Sequence, residues 1–342
     1  MLSEKVGDGL TNNTAKKKRG KSGTRRPIFA LLLLAPMCGE VLSGSSPPLE
    51  FINPVGFLFL VMLYGSGALL IREFVRRWGK GWPSILLLGL AYGIYEEGIV
   101  VRSFFDPTWG DLDRLAWYGR WLGVNWIWTI ELTLFHAVVS IAIPILLVEL
   151  MYPEQRHKRW VTRRGLKIHA LLLASMAIIG IAFEMRAPPL GYVGCILAMI
   201  LLAWLAYRWP ERDQKEKRDR LPRQWRIGLF GFLGMVGFFI TLWVLPENEV
   251  PVGWCVAACF ALPVLVLYQA GKLGIWSFGL RQQWALATGA LMLWILFAFL
   301  AVAGPDMPIA GLIFLVFLWR LGRNIRKRES AILQGEGPVL PV

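Results

Sequence analysis

With 342 residues, a formal charge of +14 and 56% hydrophobic residues, the chain is long enough for one or two soluble domains, yet its apolar residues fall in uninterrupted runs of about 20. Such runs cross a hydrocarbon core of roughly 30 Å as helices, because backbone groups in lipid need partners within their own segment, and the ten-residue alternation of barrel strands is absent. The positive charge therefore marks one face of a membrane and excludes nucleic acid as the expected partner. The four cysteines, Cys38, Cys195, Cys255 and Cys259, all inside apolar runs, do not form a disulfide framework.

Residues 1–26 carry Lys16-Lys17-Lys18-Arg19, Lys21, Arg25 and Arg26 without apolar periodicity, and are expected to be a disordered basic cytoplasmic tail. Residues 27–320 are expected to form an all-α, polytopic transmembrane bundle. Its spans, about ten, fall at 27–44, 53–71, 82–102, 126–151, 168–186, 189–207, 226–245, 251–270, 284–303 and 307–320, with a cytoplasmic C-terminal tail at 321–342. Taken alternately, the connections on one side hold all but four of the 37 Lys and Arg, the exceptions being Arg102, Arg114, Arg120 and Arg186. The positive-inside rule then places both termini in the cytoplasm of a multi-pass plasma (inner) membrane protein, with membrane lipids as its neighbours. Tryptophans at span ends, among them Trp78, Trp82, Trp126, Trp209, Trp225 and Trp319, suit interfacial anchors. The mixed-charge connection 208–226 reads as a solvated loop, and His157 and His169 as solvated residues of the basic loop before the fifth span.

The long connection on the other side is 103–125. Asp106-Pro107 fits an N-cap with proline at the first helical position, and Leu112, Leu115, Ala116, Gly119 and Leu122 recur at helical spacing. The pattern predicts an amphipathic helix within 104–124, with Trp117 and Trp121 dipping into the interface, placed to serve as a lid.

Function is expected where ionisable residues enter the spans, since each costs at least about 2.5–3.5 kcal/mol in hydrocarbon and so normally faces a bundle interior or a cavity. Glu96 and Glu97 stand in Tyr92-Gly93-Ile94-Tyr95-Glu96-Glu97-Gly98, about 8–9 Å inside Arg102 at helical rise; Glu40 and Glu131 lie at similar depth, and His136 about 15 Å in. Tyr92 and Tyr95 make Glu96 the better cavity acid. Gly89, Gly93 and Glu97 form a stripe that admits another helix, making Glu97 the better interhelix partner. Glu131 lies about 140° around the helix from His136 and need not share its site. No Walker loop, HExxH or GxSxG motif occurs.

Glu96-Glu97, followed on the same helix by Arg102, and then Phe135-His136 on the next span, resemble the first two motifs of the CAAX-protease and bacteriocin-processing (CPBP) intramembrane proteases. The resemblance spans about 60 residues. It implies a helical bundle around a water-activating site, with Glu96 as general base or ligand and His136 as its partner. The spacing departs from that family in having four residues between Glu97 and Arg102, Phe135 directly before His136, and no further histidine in a downstream span. Three functions remain open on the residues. A membrane-embedded hydrolase of a peptide or lipid-linked substrate would use Glu96, Glu97, His136 and Arg102, with Glu96 and His136 as the metal ligands should zinc be the cofactor. A proton-coupled transporter would use the same acids as a relay, and a non-catalytic assembly component would pair them for structure. The four cysteines give a fourth, thinner reading as soft metal ligands.

Overall fold

The computed structural model describes residues 23–180, 187–210 and 221–334. Most of the basic tail, the end of the fifth predicted span, the centre of the mixed-charge connection and the last residues of the C-terminal tail lie outside them.

Among the described residues ten main helices follow one another: α1 (Arg25–Pro36, prolonged by a π-turn Met37–Val41), α2 (Pro54–Trp78), α3 (Trp82–Ile94, prolonged by a π-turn Tyr95–Val100), α4 (Trp126–Met151), α5 (Arg163–Gly180), α6 (Pro189–Arg208), α7 (Gln224–Glu247), α8 (Val252–Leu273), α9 (Leu280–Phe299) and α10 (Met307–Leu333). The protein is an all-α, polytopic membrane bundle. Seven of these helices, α2, α4 and α6 to α10, are long and apolar enough to cross a membrane. The other three coincide with the first, third and fifth predicted spans. Each has a reason to read as weaker: α1 is short, α3 carries Glu96 and Glu97, and α5 opens on Arg163, Arg164 and Lys167.

Local chemistry sets the helix ends. Asn53 accepts hydrogen bonds from the Val55 and Gly56 amides at the start of α2, with Pro54 in the first turn, and Asn125 accepts from Trp128 N at the start of α4. Gly79, at φ 70°, closes α2 in the left-handed conformation that glycine adopts without penalty, and Gly81-Trp82-Pro83 restarts the chain at once as antiparallel α3.

Two expectations are corrected. The connection 103–125 is not a helix. It contains a 3₁₀ turn, Asp113–Ala116, and a two-stranded antiparallel ribbon, β1 (Arg120–Trp121) with β2 (Val124–Asn125), turned by Leu122 and Gly123, both at positive φ. Asp106 spends its carboxylate on Thr108, through N and Oγ1 at 2.7 Å each, which makes a local turn instead of a helix start. Trp117 and Trp121 are nonetheless exposed. The 3₁₀ turn docks on the α7–α8 turn through Arg114, whose Nη1 lies 2.8 Å from Glu249 Oε1, and that hydrogen bond holds its guanidinium above the ordinary value. The last helix also runs on past residue 320 to Leu333, so the start of the predicted tail is helical, and Glu329 there pairs with Arg281.

Sequence reasoning missed a buried ion cluster where α2 and α4 approach the 152–162 connection. Arg72, fully buried, donates to Glu73 Oε1 (2.8 Å), Glu149 Oε1 (3.3 Å) and the carbonyls of Lys158 (2.7 Å), Gln155 (3.2 Å) and Arg156 (2.7 Å), with its guanidinium 3.5 Å from the centre of the Trp160 ring. Glu149 also accepts from Arg76 at 2.7 Å and faces Arg156 Nε at 3.3 Å, while Glu73 accepts from Trp160 N at 2.7 Å. Three loop carbonyls thus find their donor in one side chain, which fixes the connection against the bundle. Removing one partner of such a network strands the others, so Arg72→Ala is expected to destabilise the protein by about 3–5 kcal/mol in equilibrium unfolding from mixed micelles. A loss below about 1 kcal/mol would show that water replaces the guanidinium freely.

Candidate functional site

The intramembrane acids and the histidine converge because four helices carry a wide turn where each functional residue sits. The described residues contain five π-turns: Met37–Val41 with Glu40, Val61–Gly65 with Tyr64, Tyr95–Val100 with Glu96 and Glu97, His136–Ala142 with His136 and Ser140, and Ile240–Val244. A π-turn admits one extra residue and so re-aims side chains that a straight helix would fan out at about 100° each. Proline supplies the local cause twice, since Pro144 and Pro246 follow the turns in α4 and α7 and cannot donate back into them.

Close helix approach does the rest. A methyl group on Gly93 of α3 would lie 2.9 Å from Thr133 Cα and 3.2 Å from His136 Cβ, and one on Gly89 would lie 2.9 Å from Ala137 Cα. On α1, a methyl group on Gly39 would lie 2.7 Å from Ser140 Oγ and 2.8 Å from the Tyr64 ring. These positions therefore admit no side chain without separating the helices.

His136 is the hub. Its Nε2 lies 2.8 Å from Glu97 Oε1, and its Nδ1 lies 3.0 Å from Ser140 Oγ and 3.2 Å from Glu96 Oε2. Ser103 donates to the other oxygen of Glu97 and accepts in turn from Trp128 Nε1 at 2.9 Å. Tyr64 donates to Glu40 Oε1, and Ser46 Oγ to Glu40 Oε2 at 3.0 Å. The rings of Tyr64, Tyr92 and Phe135 pack around the imidazole at centroid distances of 5.9, 6.2 and 5.3 Å. Glu96, Glu97 and His136 are 3%, 7% and 2% exposed, so the set is dry enough for charge to matter. Glu96 Oε2 has no hydrogen-bond partner among the described residues. The 103–125 connection closes over this end of the bundle, and on it partial burial, with Glu97 as a second cause, pushes the Asp111 carboxyl above the usual carboxylate range.

One ligand atom from each of Glu96, Glu97 and His136 can be chosen so that all three lie within 4.8 Å of one another, a spacing suited to a single cation. Two carboxylates and an imidazole are a donor set that zinc accepts, and the orphaned Glu96 oxygen is the kind of atom such an ion would satisfy. The residues fit the group.

Arg102 stands elsewhere. At φ 63° it directs its guanidinium to the Gly180 carbonyl and to Tyr192 Oη at 3.5 Å, tying the end of α3 to α5 and α6. Glu131 likewise lies outside the cluster, facing α7 and α8. His169 is not a solvated loop residue: it sits on α5 with Nδ1 3.0 Å from the buried Ser66 hydroxyl. Tyr64, Ser103, Trp128 and Ser140 were missed at the sequence level. The signal for Tyr64 was its place before Gly65-Ser66-Gly67, a polar and flexible break in an apolar span.

Apolar helices folded around a buried carboxylate–imidazole set define this molecule as a polytopic integral membrane protein with a polar site sunk inside the bundle. More narrowly, the chain belongs to an uncharacterized membrane protein family whose model matches residues 29–326. It is 28% identical over 173 residues to an "uncharacterized protein" of Archaeoglobus fulgidus; the match takes in 48% of this chain and 52% of that protein, so the chain spans about half the length of the curated relative it matches. No solved structure matches it.

Packing at the α3–α4 contact is expected to control the site. Gly93→Ala should cost about 1–3 kcal/mol in thermal unfolding, because the added methyl overfills a backbone contact. Unchanged stability would mean that the helices part without resistance.

Proposed function

We propose that this protein is a membrane-embedded hydrolase, acting on a peptide or lipid-linked substrate from the side of the membrane on which the 103–125 connection lies. The observation that carries the reading is a buried Glu96 oxygen that accepts no hydrogen bond among the described residues and lies 3.2 Å from Nδ1 of an imidazole whose far nitrogen is held by Glu97. In the reaction, Glu96 accepts a proton from a water molecule as the water oxygen bonds to the substrate carbonyl carbon. The His136 N–H is placed to donate to the developing oxyanion, while Glu97, fixed by Ser103, orients the ring and stabilises its charge; as the oxyanion re-forms the carbonyl and the bond to the leaving group breaks, Glu96 returns the proton to the departing nitrogen or oxygen. A zinc ion bound at the site would be held by Glu96, Glu97 and His136 and would supply Lewis-acid activation of water. The partial resemblance to CPBP proteases supports the same roles for Glu96 and His136. We further place the protein in the plasma (inner) membrane with both termini in the cytoplasm, the arrangement that the Lys and Arg distribution favours.

A second reading, a proton-coupled permease, is favoured by one observation: polar side chains from Glu40 and Tyr64 through His136 to Glu97 and Ser103 draw on several helices, as a relay would.

Full-length protein in detergent, screened against fluorogenic peptides and lipid-linked esters, is expected to hydrolyse at least one class. Glu96→Gln should then lower turnover by about 10²–10⁴-fold, and His136→Ala should do the same, with unfolding midpoints near that of the native chain. Full turnover in Glu96→Gln would remove the hydrolase. Proton flux in sealed vesicles that vanishes in Glu96→Gln, without any hydrolysis by the native protein, would establish the permease instead.

A further inference from the structure

A second polar group lies buried in the bundle, apart from the Glu96–His136 cluster. Glu131 of α4 is fully buried, and neither of its carboxylate oxygens has a hydrogen-bond partner among the described residues. An acid removed from water without a partner is costly, and native proteins satisfy nearly every such atom with protein, water or an ion. Thr241, on the fifth π-turn, and Cys259, on α8, face this carboxyl. Thr241 returns its own proton to the chain, toward the Gly237 and Phe238 carbonyls at 3.1 and 3.0 Å. Of these two groups the Cys259 thiol is left to the acid, with a second thiol, Cys255, one helical turn away.

Cys255 and Cys259 are both free and both fully buried. Their i, i+4 spacing puts them on one face of α8, as the two histidines of a helical zinc motif are placed, and that face packs against α4. Cys255 Sγ sits 3.3 Å from the Val250 carbonyl and 3.6 Å from Tyr118 Oη, contacts of the weak kind that a thiol gives up readily. Two sulfur donors and one carboxylate, in a dry pocket, form a set for a soft or borderline cation and a poor one for magnesium or calcium, which call for six or more oxygens.

We propose that Glu131, Cys255 and Cys259 form a thiolate–carboxylate site for a divalent cation of the zinc and cadmium class, joining α4 to α8. Cys259 and Glu131 already face one another. Cys255, whose Sγ rests against the Val250 carbonyl, completes the site by turning its thiol toward them. Both thiols lose their protons to solvent as the metal–sulfur bonds form, with no change of oxidation state. No residue is shared with Glu96, Glu97 or His136, so the inference stands whether or not that cluster hydrolyses anything.

The probe is Cd²⁺ alone, added to chelator-treated full-length protein in detergent, with the ultraviolet thiolate-to-cadmium charge-transfer band as readout. Expected is a saturable band that persists in Cys38→Ser and Cys195→Ser, is lost in Cys259→Ser, and falls sharply in Cys255→Ser and Glu131→Gln. It should survive in Glu96→Gln, which separates this site from the first. X-ray absorption on the cadmium-loaded native chain provides a measurement that needs no variant to fold, and should find sulfur neighbours around the metal. Absence of the band in the native chain, its survival in Cys259→Ser, or a cadmium shell of oxygen and nitrogen alone would each overturn the proposal.

Discussion

A carboxylate carried into the apolar interior of a helix bundle has to find a partner there, and most of this fold can be understood as the means by which several of them do. The attraction between His136 and Glu97, 2.8 Å apart and buried, is strong because the pair is shielded from bulk solvent, and the shielding comes from α1 to α4 packing closely around it. Glycines at 39, 89 and 93 give up side-chain packing to permit that approach. Arg72 solves the same problem at the other end of α2, with enough donors to serve two acids and three loop carbonyls. Both clusters are electrostatic in origin, but they differ in completeness. The Arg72 guanidinium is saturated with acceptors, whereas Glu96 retains an oxygen that accepts no hydrogen bond among the described residues and has only the His136 ring 3.2 Å away. Saturation makes a lock, and an unsatisfied atom makes a place for a ligand.

Much of the architecture was legible because the pressures that write it into sequence are strong. Apolar runs of membrane length, tryptophans at their ends and one-sided basic connections located the helices, and two acids inside such a run pointed to the site. Glu96, Glu97 and His136 do lie together. The means of assembly was hidden, because a π-turn has little signature of its own: only Pro144 and Pro246 hint at two of the five. Side-chain direction cannot be taken from a straight-helix projection where the helix is not straight, which is why both Glu96 and Glu97 reach the ring although they are adjacent in sequence. Arg102 stands apart from the cluster for a related reason, since a left-handed residue at the end of α3 sends its side chain off the path of the helix.

The connection 103–125 failed as a helix in an instructive way. Its apolar residues recur at three to four positions, and Leu112 and Leu115 are indeed buried. Yet Asp106, Gly119, Gly123 and Asn125 each offer the backbone a local alternative to helical hydrogen bonds, and together they outweigh periodicity over so short a segment. The outcome ties the loop to the site more firmly than a surface helix would. Ser103 at its start holds Glu97, and Trp128, just after its end, holds Ser103.

The wide turns also bear on how such a protein tolerates change in length. Each π-turn is in effect a single-residue insertion absorbed within a helix, so removing one residue between 95 and 100 would let α3 close as a regular helix and still span its layer. The flanking residues would keep their phase, because the extra residue is absorbed in the turn, and only the side chains inside it, Glu96 and Glu97 among them, would be re-aimed. Reading frame along the helix axis, ordinarily a concern of translation, becomes here a property of the folded site: the helix keeps its place in the bundle while its carboxylates point at the wrong neighbour.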